Sequence, residues 1–598
     1  MSSTQAENTR ALVVDATTGS ITGSPIQAEI RRDYLGGACL ATRLWLESSR
    51  LEVDPLSAAN ALVIAPGLLT GFPIAAANRT SLVAKSPLTG LLGESSAGGS
   101  FGPRMKALGV DALTIRGSFE EPSYIVIDGD EGSVKVEKAG ALWGEDVFFS
   151  HQALKERHGE DMEAAIIGPA GENGVYFAAV AFCGRSPGTA GRTGMGAVMG
   201  SKNLKAVLVR GGKPPKPTDP EGLSRAMSES FAKTKERANE RDKYGGGRGT
   251  FSREALGSLP VKNWREGTFP GLSKLAAGAL PGQGVHYLAI GAFGPMCLVS
   301  DPRYITSAND MCLRLGLDAI SAGSAVAFAM EAYERGIIDD EMAGRPLLWG
   351  DGEVTLFVLN EIANQQGLGS ILSRGTRTAA KHLGPLAEEF AVHVKGLEVP
   401  MYDPRIYTSM AVAYATGNRG ACHLDGMTYY IETGKYPKEM AGIEAGLEKL
   451  GSKGKAEIAV KMQNLTGALN ALGLCKSVLD ARVSPVEMAR WIEYCLGIPY
   501  SHKDLLKAGE RSFNLRRLCN VALGITRKDD RLPPRLLSHP RPSGGAAGSL
   551  PFLGEMLHEY YVLRGWDQEG LPTLNTLERL GLREYPEWLG VKTSVLTG

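Results

Sequence analysis

Residues 190–207 read AGRTGMGAVMGSKNLKAV, and in them Gly191, Gly194, Gly196 and Gly200 precede Ser201, Lys202 and Lys205. Glycines at that density let a backbone approach a ligand closely, and lysines beside them suit an anion such as a phosphate. Two nucleotide-binding templates come near and fail on spacing. A P-loop closes on a Gly-Lys pair, whereas Gly200 is followed by Ser201. A dinucleotide fingerprint begun at Gly194 and Gly196 needs a further glycine where Met199 stands. On this stretch alone, a turn that only reverses the chain stays an open alternative.

The chain around this stretch alternates short β-rich runs with turns. They are ALVVDATTG (11–19), ALVIAPG (61–67), RTSLVAKSPLTG (79–90), DALTIRG (111–117), SYIVIDGDEGSVKVEKAG (123–140), EAAIIGPAG (163–171), VYFAAVAF (175–182) and KAVLVRGG (205–212). Their length and β-branched content predict strands. Four prolines between residues 214 and 220 then mark a linker. Beyond it, segments such as 219–242, 318–336, 354–367 and 462–473 carry helical periodicity with Ser or Asp starts and Gly stops. FAVHVKGLEV (390–399) is a short extended run among them, and the proline-rich 529–552 predicts an irregular arm. The expected fold is α+β: a β-rich domain at 1–211, a helical domain at 212–400 and a helical C-terminal domain at 401–598.

Composition narrows the function classes. A chain of 598 residues is too long for one core. Lys plus Arg and Asp plus Glu both number 65, so no net field attracts nucleic acid or anionic lipid. The 75 glycines fall at discrete turns such as LGGACL (35–40) and SSAGGSFG (95–102), which indicates close backbone approach and not disorder. The start of the chain shows no apolar core of secretory length, and the longest uncharged apolar run in a helical pattern, 319–330, is 12 residues and too short to span a bilayer. Eight scattered cysteines without close pairs suit a reducing compartment. A cytoplasmic protein without a membrane span is expected.

The opening stretch resembles a signature of the tungsten-containing aldehyde ferredoxin oxidoreductase family, and the resemblance extends over nearly the whole chain. In family order come YLGGACLATRLW (34–45), NRTSLVAKSPLTG (78–90), SSAGGSFGPRMKALGVDAL (95–113), IIGPAGEN (166–173) and AGRTGMGAVMGSKNLKAV. VKNWREGTF (261–269), RLGLDAIS (314–321), VKGLEVPMYDPR (394–405), YATGNRGACHLDG (414–426), ALGLCKS (471–477) and YYVLRGWDQEGLPT (560–573) follow. The resemblance implies a tungsten (or molybdenum) ion between two pterin-dithiolene cofactors, whose phosphates meet at a magnesium ion over the β domain.

Matched position by position, the resemblance implies that Arg79 pairs with a pterin phosphate and that Gly98, Gly191 and Arg192 line the same cradle. It places Ser96 and Ala190 where backbone carbonyls serve the magnesium. Two loops of the pattern D-x-x-G-L-D and D-x-x-G-L-C close on the pterins in the family; here they read LRLGLD (313–318) and NALGLC (470–475). Gly316, Leu317, Asp318, Asn470, Gly473 and Leu474 are the positions carried over. Leu313 and Asn470 stand where the family has aspartates, so Asn470 can bond a pterin as a neutral partner and Leu313 cannot. Gly316 and Gly473 are also expected to cap helices. His423 matches the family histidine near tungsten and is the candidate for proton transfer.

The pattern breaks at the iron–sulfur site. Relatives hold a [4Fe-4S] cluster on C-x-x-C-x-x-x-C plus a distant cysteine in G-L-C. Here Cys475 supplies the distant position, but the segment 286–312 offers only Cys297 for the triple, with Cys312 expected as a buried thiol. Arg303 stands nearest to a family glutamate close to tungsten. The expectation is an oxidoreductase that converts a small aldehyde to a carboxylic acid, with electrons passed to ferredoxin or an iron–sulfur partner subunit. The alternative is a non-catalytic metallopterin-binding or structural subunit of a redox complex. The resemblance also allows a homodimer.

Overall fold

A computed structural model of the chain describes residues 10–241, 258–277 and 285–591. Residues 1–9, on which part of the reading of the chain start falls, lie outside the described residues. The β domain is built from two six-stranded sheets. The strands are β1 (Arg10–Asp15), β2 (Ile21–Pro25), β3 (Leu62–Pro66), β4 (Thr80–Lys85), β5 (Leu92–Ala97) and β6 (Val110–Arg116). β7 (Ser123–Asp128), β8 (Ser133–Lys138), β9 (Glu163–Ile166), β10 (Val180–Cys183), β11 (Gly188–Ala190) and β12 (Leu204–Arg210) complete the set.

The first sheet runs β2-β1-β6-β3-β4-β5 and the second β11-β10-β9-β12-β7-β8. Each has a single parallel pair, β1 with β6 and β12 with β7; the other pairs are antiparallel. β3 is buried at all five positions, as its unbroken apolar run LVIAP implies for a strand covered on both faces. Three strands escape the sequence reading. β5 (LGESSA) has no β-branched residue, and its pairing with β4, from Thr80↔Ala97 to Lys85↔Leu92, makes it a strand. β2 and β11 are short edge strands. In VYFAAVAF only Val180 onward is strand, and the residues before it form a loop that serves the site below.

Helices dominate after the linker. Helix Ala319–Glu334 buries thirteen of its residues, so the 12-residue apolar run is a core helix. No helix among the described residues is long and apolar enough to cross a membrane. Helices Lys455–Leu472 and His502–Ala522 cross at Gly467 and Gly509, where a Cβ on Gly467 would lie 2.9 Å from the Gly509 Cα. The linker does not hang free: the amides of Thr218 and Asp219 donate to the carbonyls of Cys495 and Tyr494. The proline-rich arm is packed, with Arg535 paired to Glu331 at 2.6 Å and Arg541 to Asp403 at 2.7 Å.

Candidate functional site

Two helix ends dock onto the β domain in the same manner. Helix Pro302–Leu315 stops at Gly316 and helix Lys455–Leu472 stops at Gly473, each glycine at φ 75° in the left-handed region that suits a C-cap. The residue after each stop bridges a loop of the β domain, Leu317 to Ala178 and Leu474 to Ala77. Beside these bridges the Ala179 amide donates to the Gly316 carbonyl at 2.8 Å, and the Arg79 amide to the Gly473 carbonyl at 3.0 Å. A side chain at Gly473 finds no room: its Cβ would lie 2.2 Å from Thr70 Oγ1 and 2.9 Å from the Gly67 Cα.

Between the docked loops lies a cavity of about 640 Å³. Arg79, Ser96, Gly98, Gly191 and Arg192 reach it from the β domain, and Asp318, His423, Asn470, Leu474 and Cys475 from the helical part. The sheet edges meet closely there, since a Cβ on Gly188 would stand 2.1 Å from the Gly98 carbonyl oxygen. A Cβ on Gly191 would stand 2.4 Å from Asp318 Oδ1. The glycines therefore give both a flat wall and a tight seam.

The wall is rich in guanidinium groups. Arg79 donates from Nη2 to the Ser96 carbonyl at 2.9 Å and to the Ser96 hydroxyl at 2.8 Å, and it forms no carboxylate ion pair among the described residues. Burial lowers its pKa from the usual arginine value. Arg192, at φ 84°, donates to Asp318 Oδ2 at 3.2 Å and to the Ala421 carbonyl at 2.9 Å. Asp318 Oδ2 also accepts from the Ser321 amide at 2.9 Å, as the N-cap of helix Ala319–Glu334. Arg419 pairs with Asp425 at 3.0 Å.

His423 is 4% exposed and lies parallel to the Tyr402 ring, with centroids 5.5 Å apart. Burial pushes its pKa well below the ordinary histidine value, and Lys476, Arg192, His286 and Arg419 add to the effect. The ring is neutral at neutral pH. A neutral imidazole accepts at one nitrogen and donates at the other, which suits it to hold a substrate oxygen or pass a proton.

Other expected residues stand elsewhere. Ala190 is buried on β11 directly before Gly191, and Gly316, Leu317 and Gly473 support the loops without facing the cavity. Leu313 does not line it either. Arg303 is at the surface, paired with Asp301 at 2.6 Å. The lysines of the opening stretch are structural: Lys202 Nζ donates to the Gly117 carbonyl at 3.1 Å, and Lys205 is buried against Glu172. Only the first half of that stretch serves the cavity. The sequence reading passed over Asn78, His286, Arg419 and Lys476, which also line it. Asn78, Arg419 and Lys476 lie within the motifs that supplied Arg79, His423 and Cys475; nothing local distinguishes His286.

A pterin phosphate and a flat heterocycle fit these residues. Arg192 Nε, Arg419 Nε, His423 Nδ1 and Asn78 Oδ1 are buried polar atoms with no protein partner among the described residues, and all four belong to the cavity wall. A four-thiolate cubane does not fit. Cys297 is turned into the core, its thiol donating to the Ala292 carbonyl at 3.4 Å, and burial raises its pKa. It does not reach the cavity, so Cys475 is the one thiol of the expected pair that faces it. Cys312 is a buried thiol, as expected. Among the described residues no group of three or more His, Cys, Asp or Glu could hold a metal ion.

Comparison with known proteins gives matches along the same length of chain. A family profile described as "Aldehyde ferredoxin oxidoreductase, N-terminal domain" matches residues 11–211, and one described as "Aldehyde ferredoxin oxidoreductase, domains 2 & 3" matches residues 274–582. The chain is 34% identical to a tungsten-containing aldehyde ferredoxin oxidoreductase of Pyrococcus furiosus, covering 96% of this chain and 99% of the relative. It is 28% identical to the WOR-like subunit of an aliphatic sulfonate oxidoreductase of the same organism, covering 97% of both. Among solved structures it resembles the active-site complex BamBC of benzoyl coenzyme A reductase with 1,5-dienoyl-CoA, at a TM-score of 0.83, 26% identity and 99% coverage of both chains.

Proposed function

The chain belongs to the aldehyde ferredoxin oxidoreductase family, and from that premise we propose that it oxidises a small aldehyde to a carboxylic acid at a tungsten (or molybdenum) bis-pterin centre. The two electrons released go to ferredoxin or to an iron–sulfur partner subunit. The observation that carries this reading is the cavity wall itself, where unneutralised Arg79, strained Arg192 and neutral His423 converge between glycine-lined sheet edges. All eight cysteines are free thiols, which supports a cytoplasmic setting.

When bound, such a centre supplies a two-electron acceptor for the aldehyde carbon. The residues of this chain do the rest. Arg79 offers a forked donor to phosphate, Arg192 offers its unpartnered Nε, and Gly98 and Gly191 leave space for a ring to lie against backbone. The carbonyl of Ser96, and that of Ala190 directly before the cavity-lining Gly191, would hold magnesium; the Ser96 carbonyl already accepts from Arg79 at 2.9 Å and keeps a second lone pair. Converting RCHO and water to RCOOH releases two protons with the two electrons, and neutral His423 is placed to take a proton from the substrate oxygen and hand it on.

The displaced thiol of Cys297 favours a second reading, a metallopterin-binding subunit without turnover of its own. One experiment separates them. Protein purified without oxygen is assayed for tungsten, molybdenum and pterin, and for aldehyde-dependent reduction of a viologen dye. Metal and pterin with dye reduction supports the enzyme; metal and pterin without reduction of dye by any of a panel of aldehydes supports the subunit; protein lacking pterin overturns both.

A further inference from the structure

Asn470 separates two cavities. On one side it lines the large cavity; on the other it lines a small polar void of about 20 Å³ shared with Glu94, Asp425, Thr466 and Arg516. Glu94 projects from β5 and is 1% exposed. Its Oε2 is held by Arg516 Nη1 at 2.8 Å, and its Oε1 lies 3.5 Å from Asn470 Nδ2. The backbone is fixed as well, because the Glu94 carbonyl accepts from Arg419 Nη1.

A carboxylate paired with arginine can only accept, so the edge of the Asn470 amide that meets it must be the NH₂. The flipped amide would set oxygen against oxygen inside the protein, where repulsion is weakly screened. With Nδ2 committed to the Glu94 side, Oδ1 is left for the large cavity. We propose that Glu94 is a positioning residue that acts through Asn470, presenting a carbonyl acceptor to the N–H donors of a pterin ring. The proposal rests on the functional reading above.

It also accounts for the asparagine where the resemblance leads one to expect aspartate. An aspartate at 470 would bring a second carboxylate to within hydrogen-bonding distance of Glu94. In this chain the negative charge sits one layer behind the cavity wall, held by Arg516, and the wall keeps the acceptor.

A charge exchange tests this. N470D should lower the pterin bound per chain roughly tenfold, a coupling of the size neighbouring charged groups show. E94Q/N470D should restore it to within about twofold, since glutamine can accept from Arg516 and donate to the new carboxylate. N470L removes the acceptor while leaving Glu94 and Arg516 paired. It should lose pterin with the melting temperature of the cofactor-free protein unchanged. Pterin is measured on anaerobically purified full-length protein by fluorescence of its oxidised form. Wild-type protein without pterin overturns the functional reading. Wild-type protein with pterin, together with N470D or N470L carrying as much, overturns the role of Glu94 alone. So does a double variant that melts like wild type and binds no more pterin than N470D.

Discussion

At the residue scale, Arg79 and His423 face one cavity but predict opposite phenotypes. Arg79 is partly buried, with one nitrogen held by the Ser96 oxygens and the Cys475 side chain beside it, and it forms no carboxylate ion pair among the described residues, so its charge is available to a phosphate. R79A should lose metallopterin, because alanine supplies neither charge nor parallel donors. H423A should keep it, since the ring contributes no charge at neutral pH. Its turnover should fall about 10²–10⁴-fold, the usual worth of a positioned acid–base group. Depression of the His423 pKa by burial and neighbouring cations also means that no limb of the pH–rate profile near the ordinary histidine value belongs to it. Pterin content and kcat of the two variants check this pair. An R79A protein with wild-type pterin, or an H423A protein slowed less than about threefold, would remove that residue from its role.

At the scale of elements, the hairpin of strands His393–Val394 and Leu397–Glu398 links the cavity to a half-buried titrating group. The Glu398 carbonyl accepts from Arg192 Nη2, and the Glu398 carboxylate accepts from the Thr376 amide at 2.9 Å. At the other end His393 Nδ1 accepts from the Gly396 amide at 3.3 Å. Burial, with Arg377, Arg531 and Lys381 nearby, pushes the His393 pKa down to about 3. The unfolded chain binds that proton near pH 6.5. Its contribution to stability is therefore full above about pH 6.5 and is lost as pH falls toward and through about 3. H393N keeps the acceptor and removes the titration. Its melting temperature should fall less between pH 7 and pH 5 than that of wild type; equal slopes would show that His393 is not the group responsible. Much of this architecture was legible from pattern. Strands with β-branched runs and the glycine stops of LGLD and LGLC follow from local preference. β5 was not legible, because its small polar residues become a strand only through β4. Lys202 and Lys205 read as phosphate ligands because a sequence does not say which way a side chain turns. The same holds for Cys297, whose position in the chain suited a cluster and whose thiol points into the core.

At the scale of the whole molecule, a chain with no net charge holds carboxylates in its interior by pairing each with cations, at least one of them from a distant segment. Asp403 lies between Arg405 at 2.8 Å and Arg541 at 2.7 Å, and Asp530 between Lys395 at 2.8 Å and Arg517 at 2.9 Å. Glu331, fully buried in helix Ala319–Glu334, accepts from Arg535 of the proline-rich arm and from Asn263 Nδ2 at 2.7 Å. That helix begins at Asp318 in the cavity wall, so the arm secures from behind an element whose other end forms the site. Breaking a buried pair from one side leaves an uncompensated charge, which typically costs ~3–5 kcal/mol. Arg335 lies 2.8 Å from Glu331 and Asn263 remains, so R535M should fall at the low end, about 3 kcal/mol. The surface pair of Arg303 and Asp301 is the control, and R303A should leave the denaturation midpoint where it was. Urea titrations of both variants against wild type, with tryptophan fluorescence as the probe, give the comparison. If R535M unfolds at the wild-type midpoint, the arm is a passive covering, and its ion pairs contribute nothing net to holding the helix behind the site.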